Sequence, residues 1–225
     1  MGRVWRGRDE RLDREVALKE VLLSDDLPSK AREKLIARTM IEAKAAARLS
    51  HPGIVTVHDV TLHDGAPWIV MEFLAGLSLA ALIAREGRLD RGQVTAIGVD
   101  MADALAHAHA AGVVHRDLKP DNVLRVGERT VITDFGIARI LDSAGQLTSA
   151  ATVMGTPQYM PPEQLDGKPV EAPIDIWALG ATLYTAVEGT LPFDGPNWTA
   201  ISEAVHTQPH RRPRMRGRSP HCSSP

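Results

Sequence analysis

Apolar positions recur along this chain at two different spacings, and the change of spacing divides it. Val4 to Arg8 and Glu15 to Val21 carry β-branched residues near their ends and are joined by the polar turn Asp9-Glu10-Arg11-Leu12-Asp13, which predicts a two-stranded hairpin. From Ser29 to Leu49 the spacing becomes helical. Leu35, Ile36, Met40, Ala43 and Ala47 lie near one face and charges on the other, until Ser50-His51-Pro52-Gly53 stops the pattern. Ile54 to Asp59 and Trp68 to Glu72 read as two more short strands around His63-Asp64-Gly65. This β-β-α-β-β order predicts a small sheet with one helix.

Past the connector Phe73 to Gly76 the pattern is mostly helical. Ser78 caps a helix reaching Arg85, and a longer helix runs from about Asp90 to Ala111, ended by Gly112. Two brief strands, Val123 to Val126 and Thr130 to Thr133, flank a Gly127-Glu128 turn and set the segments before and after them side by side. A loop rich in Ser, Thr, Ala and Gly covers Asp142 to Pro157. An apolar helix from about Ile174 to Glu188 follows Pro161-Pro162-Glu163, and Asn197 to Val205 reads as one more short helix. Beyond it Pro, Arg, Ser and His without periodicity predict a disordered tail.

Composition narrows the function classes. A chain of 225 residues with 44% hydrophobic residues can bury one large core or the cores of two small lobes. Arg211, Arg212, Arg214, Arg216 and Arg218 make the tail basic, but no aromatic or amphipathic pattern interleaves them, so nucleic acid is not an expected partner. The single cysteine, Cys222, excludes an intrachain disulfide and points to a reducing, cytoplasmic compartment. No apolar run reaches the ~18 residues of a membrane span, so no membrane segment is expected in this chain.

The chemistry concentrates in His115-Arg116-Asp117-Leu118-Lys119-Pro120-Asp121-Asn122-Val123-Leu124, followed by Asp134-Phe135-Gly136. Moving a phosphoryl group requires mainly positioning and positive charge on the phosphate oxygens. Asp117 and Asn122 share one loop while Asp134 enters from the end of the following hairpin, so a carboxylate and an amide can converge on Mg²⁺, an ion that prefers oxygen ligands. Asp117 can accept a hydroxyl proton, with the Lys119 ammonium beside the developing charge. His115 is expected to pack behind Phe135. His107 and His109, two apart on a helix, do not share a face and are not expected as metal ligands.

With these residues the chain resembles the eukaryotic-type (Hanks-type) serine/threonine protein kinases of bacteria. The Ile174 to Gly189 wording and Leu191-Pro192-Phe193-Asp194-Gly195 are similar to actinobacterial members. The resemblance covers residues 2 to 205 and implies an α+β, bilobal fold, with an N-lobe over 1–74, a helical C-lobe over 75–206 and the tail over 207–225. It implies ATP with Mg²⁺, or Mn²⁺ in its place, protein Ser/Thr hydroxyls as acceptors, and a homodimer for loop autophosphorylation.

The same resemblance assigns roles residue by residue. Val16-Ala17-Leu18-Lys19 matches the strand whose lysine anchors the phosphates, and Glu42 matches the carboxylate that pairs with Lys19. Met71 falls at the gatekeeper position, Glu72-Phe73-Leu74 at the hinge facing adenine, and Ala17 and Leu124 on the two faces of the base. Gly2 and Val4 match the end of the Gly-rich loop. Thr156-Pro157-Gln158-Tyr159-Met160-Pro161-Pro162-Glu163 matches the segment that receives a peptide, with Thr156 bonded to Asp117. Asp175 of Asp175-Ile176-Trp177 would hold the catalytic loop. Arg116 would be met by a phosphate on Thr148, or on Thr152 or Ser149. Against the family pattern the first strand, most of the Gly-rich loop and the late helices are missing, so a domain truncated at both ends is expected. The competing class is a catalytically impaired, truncated kinase-like protein that acts as a binding module or is a non-functional fragment.

Overall fold

The architecture follows from two hairpins laid against one helix, with a helical layer below. The computed structural model describes residues 2–23, 27–135, 156–169 and 171–208. Strands β1 (Gly2–Asp9), β2 (Arg14–Val21), β3 (Val57–His63) and β4 (Ala66–Glu72) form one antiparallel sheet in the order β1-β2-β4-β3. Asp13 and Asp64 take the positive φ that their tight turns require, at 50° and 49°. Helix α1 (Ser29–Ala46) packs on this sheet.

The third strand begins at Val57, not at Ile54 as the apolar run suggested. Ile54 instead makes a single parallel bridge to Ile132, with Val55 N–H donating to Ile132 O at 3.0 Å and Ile132 N–H donating to Gly53 O at 2.9 Å. These backbone groups are spent on joining the small sheet to the lower lobe. The buried stripe of α1 also differs from expectation: Leu35, Thr39, Ala43 and Ala46 are buried, Ile36 and Met40 half-buried and Ala47 exposed. Thr39 can sit inside because its hydroxyl donates to Leu35 O at 2.9 Å.

The large lobe holds β5 (Leu77–Ser78), α2 (Leu79–Glu86), α3 (Arg91–Ala110), β6 (Val123–Val126), β7 (Arg129–Ile132), α4 (Pro162–Leu165), α5 (Pro173–Glu188) and α6 (Trp198–Thr207). Ser78 caps α2 by accepting from Ala81 N–H, and Asp90 caps α3 in a box closed by Gln93. Val94, Ile97, Met101, Ala104, Leu105 and Ala108 give α3 a buried stripe that meets α5 and β7. One apolar core runs from Val21 and Ala43 above, through Ile54, Leu118 and Phe135, to Ala178 and Ala186 below. Among the described residues no helix is long and apolar enough to cross a membrane.

Helices α2 and α5 end against each other, with Leu89 N–H donating to Ala186 O at 2.8 Å. Gly189 closes α5 at φ 72°, and a Cβ there would lie 2.0 Å from Gly87 O. Helix α6 has its own cluster of Phe193, Ile201, Ala204 and Val205, with Trp177 stacked on Phe193. At its end His206 donates through Nδ1 to Ser202 O at 2.7 Å and through Nε2 to Asp166 at 3.0 Å, while Lys168 meets the same carboxylate. The Ser202 carbonyl, then Asp166, raise His206 above 6.5, and Lys168, then His206, lower Asp166 below 3.8.

Two outcomes follow from these seams. Gly189→Ala, strained both by φ and by the Gly87 carbonyl, lowers unfolding stability by ~1–3 kcal/mol, read as a lower urea midpoint at unchanged slope. The raised histidine stabilises fully below 6.5 and ceases to as pH rises through its folded value; the depressed carboxylate stabilises above 3.8 and ceases to as pH falls. His206→Gln therefore lowers the melting temperature at about pH 6, and the gap to the parent closes by about pH 9; a gap that widens with pH refutes the assignment.

Candidate active site

The catalytic loop is held from below by one carboxylate. Asp175, in the first turn of α5 and 1% exposed, accepts His115 N–H on Oδ2 at 2.7 Å and Arg116 N–H on Oδ1 at 2.8 Å. His109 Nε2 reaches Oδ2 at 2.8 Å, so the buried charge has three donors. Arg116 takes a left-handed φ of 71°, and Gln164 Nε2 donates to its carbonyl at 3.4 Å.

His115 links the two motif halves. Its ring is fully buried, edge-on to Phe135 at 4.8 Å between centroids. Nε2 lies 2.8 Å from Thr133 O, and Asp117 N–H lies 3.3 Å from Nδ1. A carbonyl only accepts and an N–H only donates, so the network assigns the proton to Nε2. The expectation of a structural histidine behind Phe135 matches this arrangement.

Asp117 stands between two donors. Lys119 Nζ donates to Oδ2 at 2.8 Å, and Asn122 Nδ2 donates to Asp117 O at 2.7 Å and to Oδ2 at 3.3 Å. Its nitrogen so committed, Asn122 has its amide oxygen left to act as a ligand. Thr133 N–H donates to Asn122 O at 2.9 Å, which brings the loop beside Asp134. Asp134 also has a left-handed φ, 65°, and its Oδ1 lies 2.7 Å from Lys19 Nζ. Lys19 and Lys119 are each 8% exposed and Asn122 7%, values seldom seen for such side chains without a partner.

Two expected contacts differ. Lys19 does not pair with Glu42: the Asp134 carboxylate takes the ammonium, and Glu42 Oε1 meets Arg116 Nη1 at 3.1 Å and Arg38 Nε at 3.2 Å. A guanidinium presents several fixed donors and is weakly hydrated, so it competes well for a half-buried carboxylate. Glu42 Oε2 and Arg116 Nε are left buried without a partner among the described residues. Thr156 does not bond Asp117 either. It lines a small cleft with Arg116, Asp117, Tyr159, Gln164 and Asp175, while Lys119 and Asn122 hold the Asp117 oxygen. Thr148, Ser149, Thr152 and Gly136 lie outside the described residues.

Above the loop, Ala17, Val55, Met71 and Val131 form a small buried cluster against which Phe73 and Leu74 pack. Leu124, half-buried, pairs in register with Val131 and so shares its face. Val4 pairs with Lys19 across β1 and β2, and a Cβ on Gly2 would meet Lys19 Cε at 3.2 Å. Arg6, held by Glu15, lies 4.8 Å over the Phe73 ring. The Glu72 side chain is a brace, accepting from Thr56 N–H at 2.9 Å and from Arg129 at 3.4 Å. Of the site residues singled out by pattern, Arg116, Asp117 and Thr156 line the small cleft, while Ala17 and Met71 belong to the buried cluster with Val131.

His109 and Gln164 were not found from the sequence. His109 follows Leu105 by one turn on the buried face of α3, and a polar residue in that register is the signal that it has a buried partner.

Residues 1–222 match the protein kinase domain, past the end of the motifs at 205. The chain belongs to the protein kinase family. It is 43% identical over 206 residues to the serine/threonine-protein kinase pkn3 of Myxococcus xanthus, covering 86% of this chain and 36% of that protein. It is 39% identical over 209 residues to PkaB of Streptomyces coelicolor, with 89% of this chain and 48% of that one, and 40% identical over 201 residues to PknA of Mycobacterium tuberculosis, with 87% and 46%. The chain spans less than half the length of these relatives. The kinase domain therefore has bacterial serine/threonine kinases as relatives, and its α+β arrangement is the family's.

Removing the anchor of the loop is the sharpest stability test. Asp175→Ala strands two backbone N–H groups and one imidazole in the interior, for an expected loss of ~3 kcal/mol. Denaturant unfolding measures it, and a loss below ~0.5 kcal/mol would contradict the anchoring role.

Proposed function

We propose that this kinase domain transfers the γ-phosphoryl group of ATP to serine and threonine hydroxyls of proteins. The observation that carries the reading is the hydrogen-bonded unit in which Lys119 and Asn122 converge on one oxygen of Asp117, with the Lys19–Asp134 pair attached through the Asn122–Thr133 backbone bond. The relatives' names as serine/threonine kinases support the acceptor class.

In this reading Asp117 orients the acceptor hydroxyl and takes its proton, and Lys119 neutralises charge that builds on the transferred group. Lys19 holds phosphate oxygens. Adenine lies on Ala17, Met71 and Leu124 against the backbone of Glu72 to Leu74, with Gly2 and Val4 over the phosphates. Asn122 Oδ1 and Asp134 would hold Mg²⁺, or Mn²⁺, which neutralises phosphate charge when bound. The donor set fits. Among the described residues no cluster of three His, Cys, Asp or Glu is placed to hold a metal, and two oxygen donors suit an ion that keeps several waters and phosphate oxygens. The Thr156 segment receives the peptide.

We also take residues 1–74 and 75–206 as the two lobes, with 207–225 as a tail, and the cytoplasm as the compartment. A second copy of the chain is the first acceptor, at Thr148 or Thr152, giving Arg116 a phosphate partner in place of Glu42.

Transfer of labelled γ-phosphate from ATP to casein tests the reading, comparing the parent with Asp117→Asn and Asp134→Ala. Each variant should lose on the order of 10²–10⁴ in rate. Equal incorporation by parent and Asp134→Ala would sink it.

A further inference from the structure

The hairpin β6–β7 carries the metal-type residues at its two ends, Asn122 immediately before β6 and Asp134 two residues after β7. Its pairs alternate between two faces. Leu124 and Val131 face the adenine end, whereas Val123 with Ile132 and Arg125 with Thr130 face α3. Val123 and Ile132 are fully buried in the main core. Apolar contact of that kind is non-directional, so it holds the hairpin down without fixing where along α3 it sits.

Direction comes from a polar clamp at the next pair. Thr130 is 2% exposed, and its hydroxyl donates to Asp100 Oδ2 of α3 at 2.7 Å while accepting from Arg125 Nη1 at 2.6 Å. Arg125 also donates to Glu128 O at 2.7 Å in the hairpin turn and lies 3.8 Å from Asp100. A hydroxyl with its proton and one of its two lone pairs committed has its orientation fixed. Next to Thr130 on β7, Arg129 donates to Pro52 O, which ties the same turn to the upper lobe.

We infer that Thr130, clamped between Arg125 and Asp100, is a positioning residue that seats the β6–β7 hairpin on α3 and thereby sets the spacing of Asn122 and Asp134 for a divalent ion bound with ATP. The inference rests on the phosphotransfer reading above. Thr130 touches neither ion nor nucleotide. Its effect is on the metal-dependent part of nucleotide binding, because the two residues that gain from a correct spacing are those at the hairpin ends.

Calorimetric titration of the kinase domain with ATP in EDTA, and separately with ATP in excess Mg²⁺, isolates that part as the ratio of the two affinities. Thr130→Val keeps the shape and removes the hydroxyl; Thr130→Ser keeps the hydroxyl. Thr130→Val should lose about threefold or more of the Mg²⁺-dependent gain at unchanged affinity in EDTA, less than a direct partner of a metal ligand would, and Thr130→Ser should retain the gain. A general loosening of the fold would lower both affinities together and leave the ratio alone. A parent-like ratio in Thr130→Val, or an equal loss in Thr130→Ser, overturns the inference. If Thr130→Val does not fold, Asp100→Ala, whose side chain is 40% exposed, takes its place, with the same loss expected and a parent-like ratio overturning it. A parent that binds ATP in neither condition overturns the nucleotide reading, and this inference with it; a parent that binds and variants that match it overturn the inference alone.

Discussion

A carboxylate buried at the start of α5 holds the backbone of the loop above it, and the rest of the site is arranged through that grip. Burying a charge is expensive unless donors surround it, and Asp175 has two backbone N–H groups, one imidazole and the favourable end of its own helix. Because both carboxylate oxygens bind consecutive residues, His115 and Arg116 cannot rotate independently. His115 then points one ring nitrogen at Thr133 O and offers the other to Asp117 N–H, so the position of Asp134 follows from the position of Asp175 through a chain of directional bonds.

Three cations of the site each face a carboxylate, and Glu42 is shared with Arg38. Lys19 holds Asp134, Lys119 holds Asp117, and Arg116 holds Glu42. In a half-buried site each pairing relieves a desolvation penalty that either partner alone would bear. A polyanion entering this cleft therefore meets cations that already have partners, and it must rearrange ion pairs as well as fill space. Lys119 and Asp117 lie two residues apart on one loop, but the partners of Lys19 and Arg116 depend on the relative position of α1, the loop and the hairpin, which no single segment encodes.

That distinction explains what could be read from the residues. Helix caps at Ser78 and Asp90, the turn at Gly127, and the loop from His115 to Leu124 are local signals, and each appears in the structure within a residue or two of its expected place. Ala17 and Met71, grouped by family resemblance, do share one buried cluster, with Leu124 paired to its member Val131. The partners of Lys19 and Glu42 were not, because pairing depends on how α1 sits against the large lobe. Ile54 looked like strand because it is apolar and β-branched, yet its backbone bridges to Ile132 across 78 positions of sequence. Thr39 was not among the residues read as the apolar face of α1, and its hydroxyl lies in the core by bonding Leu35 O.

Arg116 and Asp134 hold left-handed backbone without being glycine. Such a conformation costs on the order of 1–3 kcal/mol per residue, sustained only because neighbouring bonds over-determine it. The fold thus keeps its two most exacting side chains at the positions where they are least comfortable. Glycine at either position would relax the backbone but leave Lys19 or Glu42 without the charge that faces it, so the backbone strain is what holding each ion pair in place entails.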